Sequence, residues 1–169
     1  MAKDNIKLIS IICPVHNEEA SIPIFLQRLH DSILPLKDRY NFELIFINDG
    51  STDGTMGLIK EECDCNKTVQ LISLSRNFGY HPAVLSGLQH ASGVAMIIIA
   101  ADCEDPPEMI PSFITAWEKG YDIVYGIRGN RPEPLIVNLG RKLFYKISSA
   151  IADSDFVPYM GEYAVITDR

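Results

Sequence analysis

The chain has 169 residues, of which 47% are hydrophobic and 22% charged, and its formal net charge is −7. This balance is typical of a folded protein large enough to bury a core, and it excludes an intrinsically disordered chain. The acidic charge, with no basic stripe or arm, argues against a nucleic-acid-binding protein. No apolar run approaches the roughly 20 residues that span a bilayer. The four scattered cysteines predict no disulfide framework, so we expect a reduced, cytoplasmic protein.

Apolar runs alternate with helical patterns along the first 127 residues. Strands are predicted at residues 7–13, 42–48, 69–75, 94–101 and 121–127. Helices are predicted between them, at residues 18–36, 53–62, 82–91 and 107–119. Asp53 is the expected N-cap of the second helix, and Gly93 is expected to close the third. This order predicts a doubly wound, mostly parallel α/β sheet with helices on both faces.

Unusual polar clusters follow the predicted strands and never precede them. They lie at residues 14–18, 48–51, 76–79 and 102–105. Loops that only connect elements would be polar at both ends of a sheet, whereas a ligand crevice requires polar groups at the carboxyl ends of the strands. The sequence therefore predicts one binding site built from four loops.

The last of these clusters carries the carboxylates best suited to a metal ion. Asp102, Glu104 and Asp105 follow the run at 94–101, which is apolar and short enough for a central strand buried on both faces. Oxygen ligands clustered at such a strand end can hold a hard divalent cation. Asp105 also suits a turn with the two prolines that follow it.

The other clusters leave two interpretations open. Asp49 can accept hydrogen bonds from a nucleobase or ribose, but Asp-Gly pairs are also ordinary turn chemistry. Arg76 can offset the charge of a diphosphate, or it is a solvated loop residue. Neither a dinucleotide-binding fingerprint nor a phosphate-binding loop follows the first strand. The acidic Glu18 at this position is unfavourable for binding phosphate and better suited to binding a base and ribose. The isolated loop histidines, His16 and His81, are not predicted to be catalytic bases.

Together these motifs resemble the family 2 glycosyltransferases with a GT-A fold. Residues 14–18 match the family's opening Pro-x-x-Asn-Glu, and residues 48–55 match its Asp-Asp-Gly-Ser-x-Asp-x-Thr. The segments 74–79 and 105–108 are most similar to those of the polyprenyl-phosphate glycosyltransferases, the group of dolichyl-phosphate mannose synthase and the bactoprenol glucosyltransferases. The resemblance covers residues 8–128 and continues more weakly to residue 169.

The resemblance implies an inverting, metal-dependent transfer of a sugar from a UDP- or GDP-sugar to a polyprenyl phosphate. It implies that Mg²⁺ or Mn²⁺ bridges the two phosphates of the donor at Asp102, with Glu104 as a second ligand. A phosphate acceptor is already anionic, so no dedicated general base is required. The nucleotide-sugar is expected to contact a set of residues at the four strand ends: Pro14, Val15, Asn17, Glu18, Asp49, Arg76, Gly79 and Asp102.

The resemblance also implies the organisation and location of the protein. Residues 1–169 are expected to form a single glycosyltransferase domain, with the nucleotide-sugar-binding part at about 7–128 and part of the acceptor side at about 129–169. Relatives in this group continue further, so the fold is expected to be truncated at its C-terminus. An acceptor lipid places the protein at the inner face of the membrane, and the oligomeric state, including a homo-oligomer, stays open.

Two alternatives remain at the level of sequence. The family's Asp-x-Asp-x-Gln corresponds here to residues 100–104, in which Ala100 replaces the first Asp and Glu104 the Gln. Ala164 likewise replaces an Arg in the segment 161–166, which resembles the family's Gly-Asp-Phe-Arg-Leu-Leu. These departures favour a nucleotide-sugar-binding protein without transfer activity. The other alternative is a soluble family 2 transferase acting on a glycan, with Glu162 as its base.

Overall fold

The structure is a computed structural model that describes residues 6–127 and 160–168. Its strands are β1 (Lys7–Val15), β2 (Tyr40–Asn48), β3 (Val69–Ser73), β4 (Ala95–Ile98), β5 (Ile123–Ile127) and β6 (Met160–Thr167). Its helices are α1 (Ile22–Ile33), α2 (Thr55–Cys65), α3 (Tyr80–His90) and α4 (Ile110–Trp117). Short 3₁₀ turns follow α1, at Leu34–Leu36, and precede α4, at Pro107–Met109.

By internal contacts the chain divides into two compact units. The first comprises residues 1–124 and 163–169, and the second comprises residues 125–162. The described part of the second unit is the end of β5 and the start of β6. Among the helices that the structure describes, none is long and apolar enough to cross a membrane.

The sheet confirms the predicted doubly wound architecture. The strand order is β3-β2-β1-β4-β6-β5. β1 pairs in parallel with β2 on one side and β4 on the other, and β2 pairs in parallel with β3. The chain therefore moves outward from β1 in both directions, which creates a topological switch point between β1 and β4. β6, which the sequence pattern did not predict, pairs antiparallel to β4.

Alternation along the strands produces two cores, one on each face of the sheet. Ile9, Ile11 and Cys13 of β1 face the larger core, which also contains side chains of α1, α2 and α4. Ile12 faces the smaller core beneath α3. Gly87 of α3 lies so close to the sheet that a Cβ there would come within 2.5 Å of Ile12.

Two local predictions are wrong. The N-cap of α2 is Gly54 rather than Asp53, although the Asp53 carboxylate accepts the Thr55 N–H at the start of the helix and the Glu19 N–H of the neighbouring loop. The C-cap of α3 is Ala91 in an extended conformation, so Gly93 does not close this helix. A Cβ at Gly93 would lie 2.6 Å from the Ser10 amide nitrogen, so glycine permits the close approach of β1.

The predicted helix boundaries also differ from those observed. The sequence pattern predicts the first helix from residue 18, but the helix begins at Ile22, because residues 18–21 form hydrogen bonds to the neighbouring loop and to each other. The fourth predicted helix is split at Ile110 into the 3₁₀ turn and α4. The predicted acceptor-side segment lies largely outside the described residues.

Candidate active site

A cavity lies at the carboxyl ends of β1, β2 and β4, at the switch point. Its volume is about 230 Å³. Three acidic residues line it, Glu18, Asp49 and Asp102, and none of its described lining residues is a lysine or arginine. It is lined by Pro14, Val15, His16, Glu18, Asp49, Asn77, Gly79, Tyr80, Ala83, Ala100, Ala101 and Asp102. The cavity is therefore acidic, in a position where open α/β sheets bind their ligands.

Asn17 joins the loops after β1 and β2. Its backbone is in the left-handed region, with φ of 58°. Its N–H donates to the Ser51 hydroxyl at 3.0 Å, and its side-chain carbonyl accepts the Thr52 N–H at 2.8 Å. The adjacent Glu18 N–H donates to the Thr55 hydroxyl at 2.7 Å. Asn17 does not line the cavity, so its observed role is to hold two walls of the cavity together.

Asp49 binds the loop that follows β3. It is 4% exposed, and its two carboxylate oxygens accept the backbone N–H groups of Phe78 and Gly79 at 2.7 and 2.8 Å. These amides lie at the N-terminus of α3, where a negative charge is stabilised by the helix dipole. The carboxylate therefore occupies the position at this helix end where a phosphate would otherwise bind.

Two glycines make this arrangement possible for different reasons. Gly50 has φ of +67°, and a Cβ there would lie 2.6 Å from the backbone of Arg76 and Asn77. The loops after β2 and β3 can therefore touch only without a side chain at Gly50. Gly79 has φ of +95° with open space around it, so the backbone conformation alone favours glycine.

His16 lines the cavity, although sequence reasoning did not select it. Its Nδ1 lies 2.8 Å from the Asp49 carbonyl oxygen, which can only accept, so Nδ1 carries the proton. Its Nε2 then accepts from the Asn17 side-chain amide at 3.3 Å. Both ring nitrogens are engaged, which leaves the ring to serve as a wall of the cavity rather than as a base.

The loop after β4 places Asp102 at the mouth of the cavity. Asp102 is exposed, and its Oδ1 accepts the Glu104 N–H at 2.9 Å. Between them, Cys103 adopts a left-handed backbone with φ of 61°. Ala100 lines the cavity with a methyl group where the resemblance expects a carboxylate. In the larger core nearby, burial and then the charges of Glu18 and Asp102 raise the pKa of the Cys13 thiol.

The structure brings six of the predicted donor-site residues to the cavity: Pro14, Val15, Glu18, Asp49, Gly79 and Asp102. Arg76 is exposed and stacks on the Phe78 ring, with its guanidinium carbon 4.8 Å from the ring centroid. Arg76, Asn17 and Glu104 are not among the lining residues. Sequence reasoning missed Tyr80 and Ala83, which carry no polar cluster and reach the cavity because α3 begins there.

The carboxylates of the site suit a hard cation that is also coordinated by a substrate. Within the described residues, no group of three or more His, Cys, Asp or Glu side chains forms a self-sufficient metal site. Mg²⁺ commonly takes one or two carboxylates and completes its shell with water and substrate phosphates. The exposed Asp102 carboxylate, with Glu104 two residues further on, fits that pattern.

This sheet, with its site at the switch point, has the architecture of the GT-A glycosyltransferases. The mannosyltransferase PcManGT from Pyrobaculum calidifontis, solved with GDP-Man and Mn²⁺, superposes with a TM-score of 0.62 at 22% identity. The match covers 94% of this chain and 44% of that one. Residues 10–152 match the family Glycosyl transferase family 2. The chain belongs to this family.

Two relatives in the family are named for lipid-linked acceptors. The prophage bactoprenol glucosyl transferase homolog of Escherichia coli (strain K12) is 36% identical over 160 residues, covering 94% of this chain and 52% of its own. The undecaprenyl-phosphate 4-deoxy-4-formamido-L-arabinose transferase of Aeromonas hydrophila is 38% identical over 148 residues, covering 86% and 44%. This chain spans about half the length of these relatives. The similarity to these relatives agrees with the resemblance that the sequence motifs indicate.

Proposed function

We propose that this protein transfers a sugar from a nucleotide-diphospho-sugar to a polyprenyl phosphate at the inner face of the membrane, with inversion at the anomeric carbon. The observation that carries the proposal is the cavity at the switch point, which is lined by three acidic residues and no basic side chain among the described residues. Such a cavity repels a bare diphosphate and accepts one that arrives with a divalent cation. The names of the two relatives support the choice of acceptor.

Residues of the cavity walls would bind the nucleoside, and residues at the cavity mouth would bind the metal ion. Pro14, Val15 and the fixed ring of His16 form a wall against which a base and ribose can lie. Glu18 offers carboxylate oxygens to ribose hydroxyls, while Asp49 keeps the Phe78–Gly79 wall in place. The proposal therefore assigns Asp49 a positioning role in addition to any contact with the nucleotide.

At the mouth, Asp102 would hold Mg²⁺ or Mn²⁺, with Glu104 as a second ligand. When bound, the ion would neutralise the charge that develops on the departing nucleotide diphosphate. Asp102 lies in the loop that follows the buried strand β4, so its carboxylate is at the mouth of the cavity. The phosphate acceptor needs no proton removed at neutral pH, and positioning would supply most of the rate enhancement.

Calorimetry with UDP-glucose, UDP-GlcNAc and GDP-mannose, each with and without Mn²⁺, tests the donor site. We expect one donor to bind in a Mn²⁺-dependent manner and Asp102→Asn to abolish that dependence. Asp64→Asn, which changes an exposed carboxylate on α2, is the matched control. Transfer to undecaprenyl phosphate, followed by chromatography of the lipid product, tests the acceptor. Failure of every nucleotide to bind would refute the site.

A second candidate function is donor binding without transfer. Ala100 favours it, because this lining residue supplies no carboxylate beside Asp102. Mn²⁺-dependent donor binding without any turnover would support this reading. The third reading, transfer to a glycan with Glu162 as base, rests on an exposed residue of β6 and predicts turnover with soluble acceptors.

A further inference from the structure

We propose that Arg28 is a positioning residue for Asp102, acting through Glu108. Arg28 lies on α1, 80 positions before Glu108, and belongs to none of the loops that form the cavity. Its link to a metal ion rests on the proposed function. Its link to the conformation of the loop after β4 rests on the structure alone.

The contact between these side chains is bidentate. Arg28 Nε donates to Glu108 Oε1 and Nη2 donates to Oε2, both at 2.8 Å. Isolated surface ion pairs contribute little, but a bidentate arginine–carboxylate pair has the geometry that makes such contacts effective. These hydrogen bonds lower the pKa of Glu108, so the carboxylate is charged near neutral pH.

Both partners are attached to well-packed parts of the fold. Phe25 and Leu29, the neighbours of Arg28 on α1, are 0% and 3% exposed. On the other side, Pro107 is buried beside Glu108, and Ile110 at the start of α4 is 0% exposed. The ion pair therefore joins α1 to the 3₁₀ turn that precedes α4, and neither end can drift freely.

The segment between β4 and this turn carries the candidate metal ligands. β4 ends at Ile98, and Asp102 lies exposed in the segment that follows. The Asp102 side chain is exposed, so its position follows the backbone of this loop, whose far end is the 3₁₀ turn that carries Glu108. Through Glu108, Arg28 thus anchors the far end of the loop that carries Asp102.

Amide hydrogen exchange of the metal-free protein tests the structural half of the inference. In Arg28→Gln, the amides of Glu104 and Met109 should exchange about tenfold faster than in the wild type, the effect of losing a charge-assisted hydrogen bond. The charge reversal Arg28→Glu with Glu108→Arg should restore slow exchange. Arg39→Gln, which breaks the comparable ion pair with Glu118, should leave both amides unchanged.

Calorimetry tests the functional half. In Arg28→Gln, the Mn²⁺-dependent part of nucleotide-sugar binding should weaken by about tenfold or more, as outer-shell changes do at metal sites. Binding of the nucleoside alone should not change, because the base-side walls are held by Asn17 and Asp49. A general loss of folding would instead weaken both, so this difference separates positioning from stability.

The outcomes distinguish the two proposals. Unchanged exchange at Glu104 and Met109 would overturn the positioning role, and so would faster exchange with unaltered Mn²⁺-dependent binding. If the wild-type protein binds no nucleotide-sugar with Mn²⁺, the proposed function fails and the metal role fails with it. The exchange experiment then still decides whether Arg28 anchors the loop.

Discussion

Replacing Asp49 with asparagine removes one charged acceptor while preserving the shape of the side chain. The wild-type carboxylate accepts two backbone N–H groups at 2.7 and 2.8 Å and is 4% exposed. In Asp49→Asn, an NH₂ group faces one of these N–H groups, so one buried hydrogen bond to a charged acceptor is lost, while the Gly79 N–H still donates to the Asn77 side-chain oxygen at 2.9 Å. A hydrogen bond to a charged group contributes about 1.5–3 kcal/mol, and loss of the charge at the helix N-terminus adds about 0.3–1 kcal/mol.

The expected decrease in the free energy of unfolding is therefore about 2–4 kcal/mol. Urea denaturation followed by circular dichroism measures it, and the melting temperature should fall by about 4–16 °C for a chain of this size. Calorimetry of the same variant should show weaker binding of every nucleotide, because the Phe78–Gly79 wall is no longer held. Asp53→Asn is the matched control, since its carboxylate also accepts two N–H groups but is exposed to solvent, which can replace it.

The opposite pattern would refute this reasoning. If Asp49 serves chiefly to read the nucleobase, Asp49→Asn should keep the stability of the wild type and change only the preference between uracil and guanine nucleotides. A stable variant with altered base preference would therefore show that the two backbone contacts are incidental.

Three further predictions concern packing and pH. Tyr163→Phe should raise the free energy of unfolding by about 1 kcal/mol, because the buried Tyr163 hydroxyl has no hydrogen-bond partner among the residues that the structure describes. A lower free energy of unfolding in urea denaturation would show that the hydroxyl has a partner. Gly87→Ala should lower it by about 1–3 kcal/mol despite a better helix propensity, since the new Cβ meets Ile12 at 2.5 Å, and an unchanged melting temperature would contradict that contact. Hydrogen bonds from Arg28 lower the pKa of Glu108 in the folded protein. The stability that these bonds contribute is therefore fully present above the ordinary glutamate pKa of about 4.3, and it is lost as the pH falls through the lowered pKa of the folded protein. Acid-unfolding curves of Glu108→Gln should lack that component, and curves identical to the wild type would disprove it.

The sequence alone located the elements of the sheet because burial imposes a readable pattern. Strands β1 and β4 are short apolar runs, and the structure buries them in the middle of the sheet, as the pattern indicated. The concentration of polar residues after the strands also predicted the position of the site. Parallel strands bring their carboxyl ends to one edge, so this inference needed no coordinates.

The motifs did not determine which contacts each polar residue makes at this edge of the sheet. Asn17 and Asp49 belong to the predicted donor site, yet their observed hydrogen bonds tie loops together. The side chain of Arg76 stacks on Phe78 outside the lining of the cavity. Spacing specifies which loop a residue belongs to, but orientation depends on backbone angles such as the positive φ of Asn17, which no periodicity reveals.

The tertiary structure also decided every contact made across long stretches of chain. The pairing of β6 with β4 joins segments more than 60 residues apart, and the Arg28–Glu108 contact spans 80 positions. Local propensity and hydrophobic pattern report burial within one element and contain no information on which elements meet. Those partners are selected only when the elements pack and each buried or charged group finds its complement. The sequence thus determined the strands, the edge of the sheet and the family motifs, and packing determined which side chains reach the cavity and which hold it in shape.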